Sequence, residues 1–413
     1  MLLFGCHQQT DTLSAVRPSA GTTITALIWA PDWSEEMLAI AAEFSRQNPD
    51  IHVDVQFMIG NSVEENIKPR IASGNLPDLI SINPNTYAAN LADRAILVDV
   101  SHTVAWDTML DALKADWTSR TGRHFGIAGG VATTMIYYNE DIFRKAGISR
   151  LPTSFDEFLA VCEQIKRAGY TPIVWDGGFP NMLGNGPFSS GFANNVVSRQ
   201  RDWKARINAG TLNLNTPQVA DIFASIRLIP ERGFVQPAFM TTGYDDGIRS
   251  FKGGKVAMTF HGSWAAGMLL SGSPFQVGLF IPPWNAPGRQ MVPVIGSETG
   301  FAVTATSNKA AATRFLEFIA GPGFQIIQKR RRNMSPFRQN AGPAINDERV
   351  ANYTRMVSEY PVTGSPYYTA LPSNSIERLH QLIEDVLVGK LTPRHAARLL
   401  DESVKKEAKL NQQ

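Results

Sequence analysis

The chain is expected to fold as an α/β protein of two lobes, and three observations carry that expectation. At 413 residues it is too long for one ordinary hydrophobic core, and a prior of roughly 150 residues per domain gives two or three. Between residues 23 and 82, β-prone runs alternate with amphipathic helical patterns. Residues 135–175 then repeat a strand–helix–strand order with the strongest local signals in the sequence.

In chain order, residues 23–29 form the first strand by their β-branched and apolar content. Ala30-Pro31-Asp32-Trp33-Ser34 turns it into a helix, with Ser34 as N-cap and Met37, Leu38, Ala41 and Phe44 on one apolar face. Asn48-Pro49-Asp50 ends that helix. Residues 51–57 alternate cleanly, the pattern of a strand with one wet face near a sheet edge. A helix over 63–73 stops at Gly74, and residues 78–82 make a third strand with Asn83-Pro84-Asn85 at its carboxyl end. The glycine-rich residues 123–131 are the candidate crossing between lobes.

In the central stretch, the apolar run 135–138 breaks at Asn139-Glu140, and Ser154 and Glu157 have capping-box spacing. Phe155, Phe158, Leu159, Cys162 and Ile165 recur at helical intervals, so one stripe of that helix is buried. Gly169 stops it, and residues 171–175 form a short strand ending in Asp176-Gly177-Gly178. This is a βαβ pattern, for which parallel strands and a crossover helix are expected. Loops at the carboxyl ends of such strands bind ligands in open α/β sheets, which makes the turn 175–181 the first site candidate.

Further on, Thr216-Pro217 opens a helix closed by Gly233. Asp245-Asp246 caps a short one through Phe251. Residues 255–260 are a strand whose end leads into His261-Gly262-Ser263-Trp264. The Pro- and Gly-rich segment 282–296 precedes a β-prone run at 301–304 and a helix at 308–320. Two amphipathic helices, 375–388 and 393–408, finish the chain, the second capped at Thr392-Pro393.

Composition narrows the class. Hydrophobic content of 43% and charged content of 18% describe a globular protein, and 39 basic against 37 acidic residues give no electrostatic handle on nucleic acid. Lys329-Arg330-Arg331-Arg332 reads as a solvated helix end, or else as a docking patch for an anionic surface. No apolar run approaches the roughly 20 residues that span a bilayer. Met1-Leu2-Leu3-Phe4-Gly5-Cys6 has the character of a bacterial lipoprotein signal without its charged region and most of its apolar region. Either the start is placed late and Cys6 is lipidated, with residues up to 21 as a tether, or Cys6 is incidental. With two cysteines, Cys162 lying on an apolar stripe, no structural disulfide is expected. The patterns of zinc proteases, serine hydrolases, P-loops and dinucleotide sites are absent, and His124 and His261 have no ligand spacing. No cofactor and no metal are expected.

Taken in order, several stretches resemble the extracellular solute-binding proteins of ABC transporters, in the maltose-binding-like family that binds sugars and oligosaccharides. They are ITALIWAPDW with its helix and NPDIHVDVQF, IASGNLPDLISI, Tyr138-Asn139 with DIFRKAGI and LPTSFDEF, GGKVAMTFHGSW, and TGFAVTATSNKAAATRFLEFIAGP. The resemblance implies a periplasmic-binding, Venus-flytrap fold with a ligand cleft between two lobes. It places the first lobe at 22–131 plus 296–340 and the second at 132–295 plus 341–413. It also implies a monomer without catalytic residues that binds a carbohydrate, works with a membrane permease, and sits in the periplasm or at the cell surface.

Sugar recognition calls for flat apolar rings and planar polar groups where water can be displaced. By resemblance, Trp264 stacks on a sugar ring; lid or core packing is the other reading. The turn of Trp175, Asp176 and Phe179 corresponds to a ligand-facing loop, with Asp176 a hydroxyl partner. Asp32 and Trp33 follow the first strand, with a helix-capping turn as the plainer account. Asn83 and Asn85 are equally ligand residues or an Asn-Pro-Asn turn. Glu298 reaches the cleft or sits in the hinge. Two rivals are weighed: a carbohydrate-active enzyme using Asp176 and Glu298 as its carboxylate pair, and the same fold binding a polyamine or phosphate ester.

Overall fold

The computed structural model describes residues 21–29, 34–58, 63–200, 202–331, 335–338, 347–361 and 363–410. Asp32, Trp33 and Cys6 lie outside the described residues. The strands are β1 (Thr22–Ile28), β2 (Ile51–Phe57), β3 (Leu79–Ile82), β4 (Val131–Asn139), β5 (Thr171–Val174), β6 (Val256–Gly262), β7 (Val277–Phe280), β8 (Ile295–Ser297) and β9 (Gly300–Val303). They make two sheets, one per lobe.

The first sheet has the order β2-β1-β3-β9, parallel except for β9, which runs antiparallel to β3. Its edge strand β2 buries Ile51 and Val53 and exposes His52 and Asp54, as its alternation requires. Interior β3 is buried at all four residues. The helix Ser34–Gln47 covers one face through Met37, Ile40, Ala41 and Phe44. Leu38, placed on that stripe by its spacing, is instead 52% exposed. Phe44 meets Phe315 and Phe318 at ring distances of 5.0 and 5.3 Å, so the helix Lys309–Phe318 shares the core of this lobe.

The second sheet has the order β5-β6-β4-β7. β5 and β6 are parallel, whereas β4 is antiparallel to both β6 and β7. β4 and β5 therefore run in opposite directions with β6 between them, which corrects the parallel βαβ unit expected over residues 135–175. Local periodicity marks each segment as a strand, but the partner that separates and orients them, β6, begins only at Val256.

Local signals are otherwise followed closely. The Ser154 hydroxyl accepts the Glu157 N–H at 3.3 Å, while the Glu157 carboxylate accepts from Thr153 N–H and hydroxyl at 2.7 and 2.8 Å, closing the capping box one residue upstream. Thr216 caps the helix Pro217–Glu231, and Gly233 follows it at φ +67°. Asp245 and Asp246 are not caps. They occupy the first turn of the helix Tyr244–Lys252, capped by Gly243, where their charge suits the positive helix end. The helices Ser373–Leu387 and Pro393–Leu410 bury Leu379, Leu382, Ile383, Leu400 and Val404 in the same core as Ile222, Phe223 and Ile226 of Pro217–Glu231.

Among the described residues, two chain segments cross between the lobes as one antiparallel ribbon. The start of β4 pairs with β8, Val131 opposite Ser297 and Thr133 opposite Ile295, and Ile127 bridges Phe301. Beside the ribbon the Asp116 carboxylate accepts from Lys204 Nζ at 2.6 Å and from Ser297 N–H at 3.1 Å, tying both lobes to the hinge.

Candidate ligand-binding cleft

A cavity of about 360 Å³ opens between the lobes and is lined from both sheets and from the ribbon. That volume falls within the range of small-molecule sites. The first lobe contributes residues that follow its strands. Trp29 follows β1, its N–H donating to Ser81 Oγ at 2.5 Å, and Asn83 and Asn85 follow β3. Glu64 joins them from the helix Val63–Ser73 and is paired with Lys68 at 3.0 Å.

Opposite stands an aromatic wall: Phe179, Tyr244, Trp264, Tyr367 and Tyr368. Trp264 leaves β6 in a short turn, and its ring lies directly over Gly262. A Cβ at residue 262 would come within 2.0 Å of that ring, so only glycine allows the approach. Glu298, on the ribbon and 4% exposed, accepts a hydrogen bond from Ser263 Oγ at 3.1 Å, which brings a carboxylate beside the Trp264 turn. Tyr367 also packs closely against Gly184, a Cβ there lying 2.9 Å from its ring. Its hydroxyl donates to Asn181 Oδ1 at 3.1 Å and lies 2.9 Å from His380 Nε2.

Of the residues expected from sequence, Asn83, Asn85, Phe179, Trp264 and Glu298 come together on the cleft lining. Both asparagines also carry structural bonds. Asn85 Oδ1 accepts from Ala88 N–H at 3.1 Å as a helix cap, and Asn83 Oδ1 accepts from Thr299 Oγ1 at 2.6 Å. Trp175 and Asp176 lie behind the wall, away from that lining. The Trp175 backbone is clasped by Gln236, whose side chain bonds its N–H and C=O at 3.0 and 2.6 Å, and its ring packs on Phe239. Asp176 is 2% exposed, 3.6 Å from His261 Nε2, beneath Tyr244. Burial pushes the Asp176 carboxyl up to about 8 and the His261 imidazole down to about 3. Trp284 packs against Phe155, Phe158 and Phe260, with its Nε1 donating to Ser225 Oγ at 3.1 Å.

Sequence reasoning passed over the wall supplied by the C-terminal region: Tyr367, Tyr368, Ser373, Ile376, Glu377 and His380. The adjacent tyrosines within the Pro- and Ser-containing stretch 365–373 were a usable compositional signal. His380 had none, since its helix reads simply as amphipathic. Carboxylates of Glu64, Glu298 and Glu377 line the cleft, and among the described residues no lysine or arginine does.

Two α/β lobes on a paired ribbon, facing each other across an aromatic and carboxylate-lined cleft, define a hinged ligand-binding protein. Residues 30–326 match the family described as bacterial extracellular solute-binding protein, and the chain belongs to that family. Its members are solute-binding proteins, not enzymes. The chain is similar to the lactose-binding protein of Rhizobium radiobacter, 24% identical over 331 residues that span 74% of this chain and 72% of that one. It is also similar to the sn-glycerol-3-phosphate-binding periplasmic protein of Escherichia coli, 21% identical over 407 residues, or 90% and 88% of the two chains. The solved structure of RafE in complex with raffinose has the same fold, with a TM-score of 0.77 at 20% identity over 94% of this chain and 100% of that one.

Proposed function

We propose that the protein binds a sugar or oligosaccharide in this cleft, closes its lobes around it and presents the closed form to the permease subunits of an ABC transporter. The observation that carries the reading is the lining: Trp29, Phe179, Tyr244, Trp264 and the Tyr367–Tyr368 pair offer ring faces, and Asn83, Asn181, Asn185 and Glu298 offer planar polar groups. Rings suit the C–H faces of pyranoses, and amides and carboxylates suit their hydroxyls. An anionic solute such as a phosphate ester is disfavoured because the described lining carries three glutamates, of which Glu64 is paired with Lys68, and no lysine or arginine. The lobes in this reading are 22–131 with 296–340, and 132–295 with 341–413, and Cys6 anchors the protein to a membrane.

Closure follows from differential affinity: a solute touching both lobes stabilises the closed state by whatever it gains there over the open one. A contact across the cleft is already present, with Tyr87 N–H donating to Ser373 Oγ at 3.0 Å. Residues 22–413 screened by thermal shift against lactose, raffinose, spermidine and sn-glycerol 3-phosphate test the reading. At a roughly 100-fold excess over Kd a ligand adds about 2.7 kcal/mol, a readable shift. A saccharide raises the midpoint, and Trp264→Ala weakens its binding by about 100-fold with the fold intact, as loss of a stacking ring implies. A shift with sn-glycerol 3-phosphate or spermidine alone overturns the sugar assignment, and consumption of the saccharide overturns the binding-only role.

A further inference from the structure

The wall on the second lobe contains a hydrogen-bond chain whose polarity can be worked out. A tyrosine hydroxyl has one proton. That of Tyr367 donates to Asn181 Oδ1 at 3.1 Å, so its 2.9 Å contact with His380 requires Nε2 to be the donor. The neutral imidazole is then the Nε2–H tautomer, and Nδ1 is a bare acceptor. Burial holds His380 down at about 4, so the ring is neutral above about pH 5. The Asn181 amide nitrogen keeps both protons. Neither His380 Nδ1 nor Asn181 Nδ2 has a partner among the described residues, and both residues line the cleft. The close seat of the Tyr367 ring on Gly184 fixes the phenol oxygen between Asn181 and His380.

We infer that His380 determines specificity on this wall: its Nδ1 accepts a hydrogen bond from a solute hydroxyl, and Asn181 Nδ2 donates to that hydroxyl oxygen or its neighbour. The inference rests on the sugar reading of the cleft. His380 and Tyr367 lie beyond the family-matched residues 30–326, so this selectivity belongs to the chain's own C-terminal region. A deoxy or O-methylated sugar leaves the acceptor unsatisfied and is discriminated against, as an unmet buried polar group demands. Below about pH 4, protonation turns Nδ1 into a donor and the preference weakens.

Two measurements test this. In protein labelled with ¹⁵N-histidine, the seven histidines are resolved by NMR, with His380 assigned by its loss in His380→Gln. The Nε2–H tautomer is expected at pH 7, and Tyr367→Phe should convert it to a tautomer mixture. A dominant Nδ1–H tautomer overturns the inference without reference to any ligand. Calorimetry with lactose and raffinose then compares wild type with His380→Gln, which should bind the recognised saccharide about tenfold more weakly and discriminate less against its deoxy analogues, with the thermal midpoint of the free protein held. Unchanged affinity and selectivity in His380→Gln overturn the specificity role. If neither saccharide binds the wild type, the sugar reading falls and takes the hydroxyl contact with it.

Discussion

Asp176→Asn removes a loss of stability, about 2 kcal/mol, that the wild-type protein undergoes between pH 6.5 and pH 8. The Asp176 carboxyl is buried against His261, with its pKa raised from 3.8 to about 8, chiefly by desolvation. Unfolded, the same carboxyl ionises near pH 4. Between those values the folded state holds a proton that the unfolded state has released, so stability falls as pH rises through the window. His261 works the other way. Burial lowers it from 6.5 to about 3, so between these values only the unfolded state carries its proton, and stability rises with pH. From about pH 4 to 6.5 the two slopes cancel, and above 6.5 only the carboxyl remains in play, over about 1.5 pH units at 1.36 kcal/mol each. His380, lowered to about 4, adds a rise on the acid side. Urea denaturation across pH 4–9 should therefore give a maximum near pH 6.5. In Asp176→Asn the fall above 6.5 disappears and the acid limb steepens, because His261 is no longer offset. A wild-type curve flat from pH 6.5 to 8 would mean that the carboxyl is ionised in the folded protein, contrary to its burial.

Glu407→Ala destabilises the protein by about 3 kcal/mol and weakens saccharide binding, although Glu407 is no part of the cleft lining. Its carboxylate, 6% exposed on the helix Pro393–Leu410, accepts from Asn374 N–H and Ser375 N–H, both at 3.0 Å, from Ser375 Oγ at 3.0 Å and from Asn374 Nδ2 at 3.3 Å. It thereby caps, from outside, the N-terminus of Ser373–Leu387, whose preceding residue Pro372 offers no capping side chain. The carboxylate also sits where the helix dipole is positive. Alanine leaves the buried Ser375 N–H without its partner, at about 1–3 kcal/mol, and hands the exposed Asn374 N–H to water. Ser373, Ile376, Glu377 and His380 lie on the first turns of that same helix. A frayed start loosens a wall of the site, so affinity drops together with stability. Glu407→Gln, which keeps one acceptor oxygen, recovers part of both. Denaturant titration and calorimetry on the three proteins decide the matter, and an alanine variant within 0.5 kcal/mol of wild type would show that the cap does not hold the helix.

What could be read without coordinates was whatever depends on a few neighbouring residues. The capping pair at Ser154 and Glu157, the apolar stripe through Cys162, the wet edge of Ile51–Phe57 and the Thr216-Pro217 helix start all appear where their chemistry puts them. Trp264 was marked by its place at a strand end and by resemblance, and Glu298 by its place near the expected crossing, and both lie on the cleft lining. Trp175 and Asp176 met the same criterion and are buried, because Gln236, sixty residues away, clasps that backbone and draws it behind Tyr244.

The sequence by itself determined where helices and strands begin, which faces are apolar, and that aromatic and polar residues gather at strand ends, since propensity, capping and periodicity act over a few residues. Only the tertiary structure decided that β6 separates β4 from β5, that β9 lies beside β3, that Asp176 is buried against His261, and that Tyr367 and His380 form a wall of the cleft. Each of those depends on which distant segments bury their faces together, and a local pattern is compatible with many such pairings until the whole core selects one.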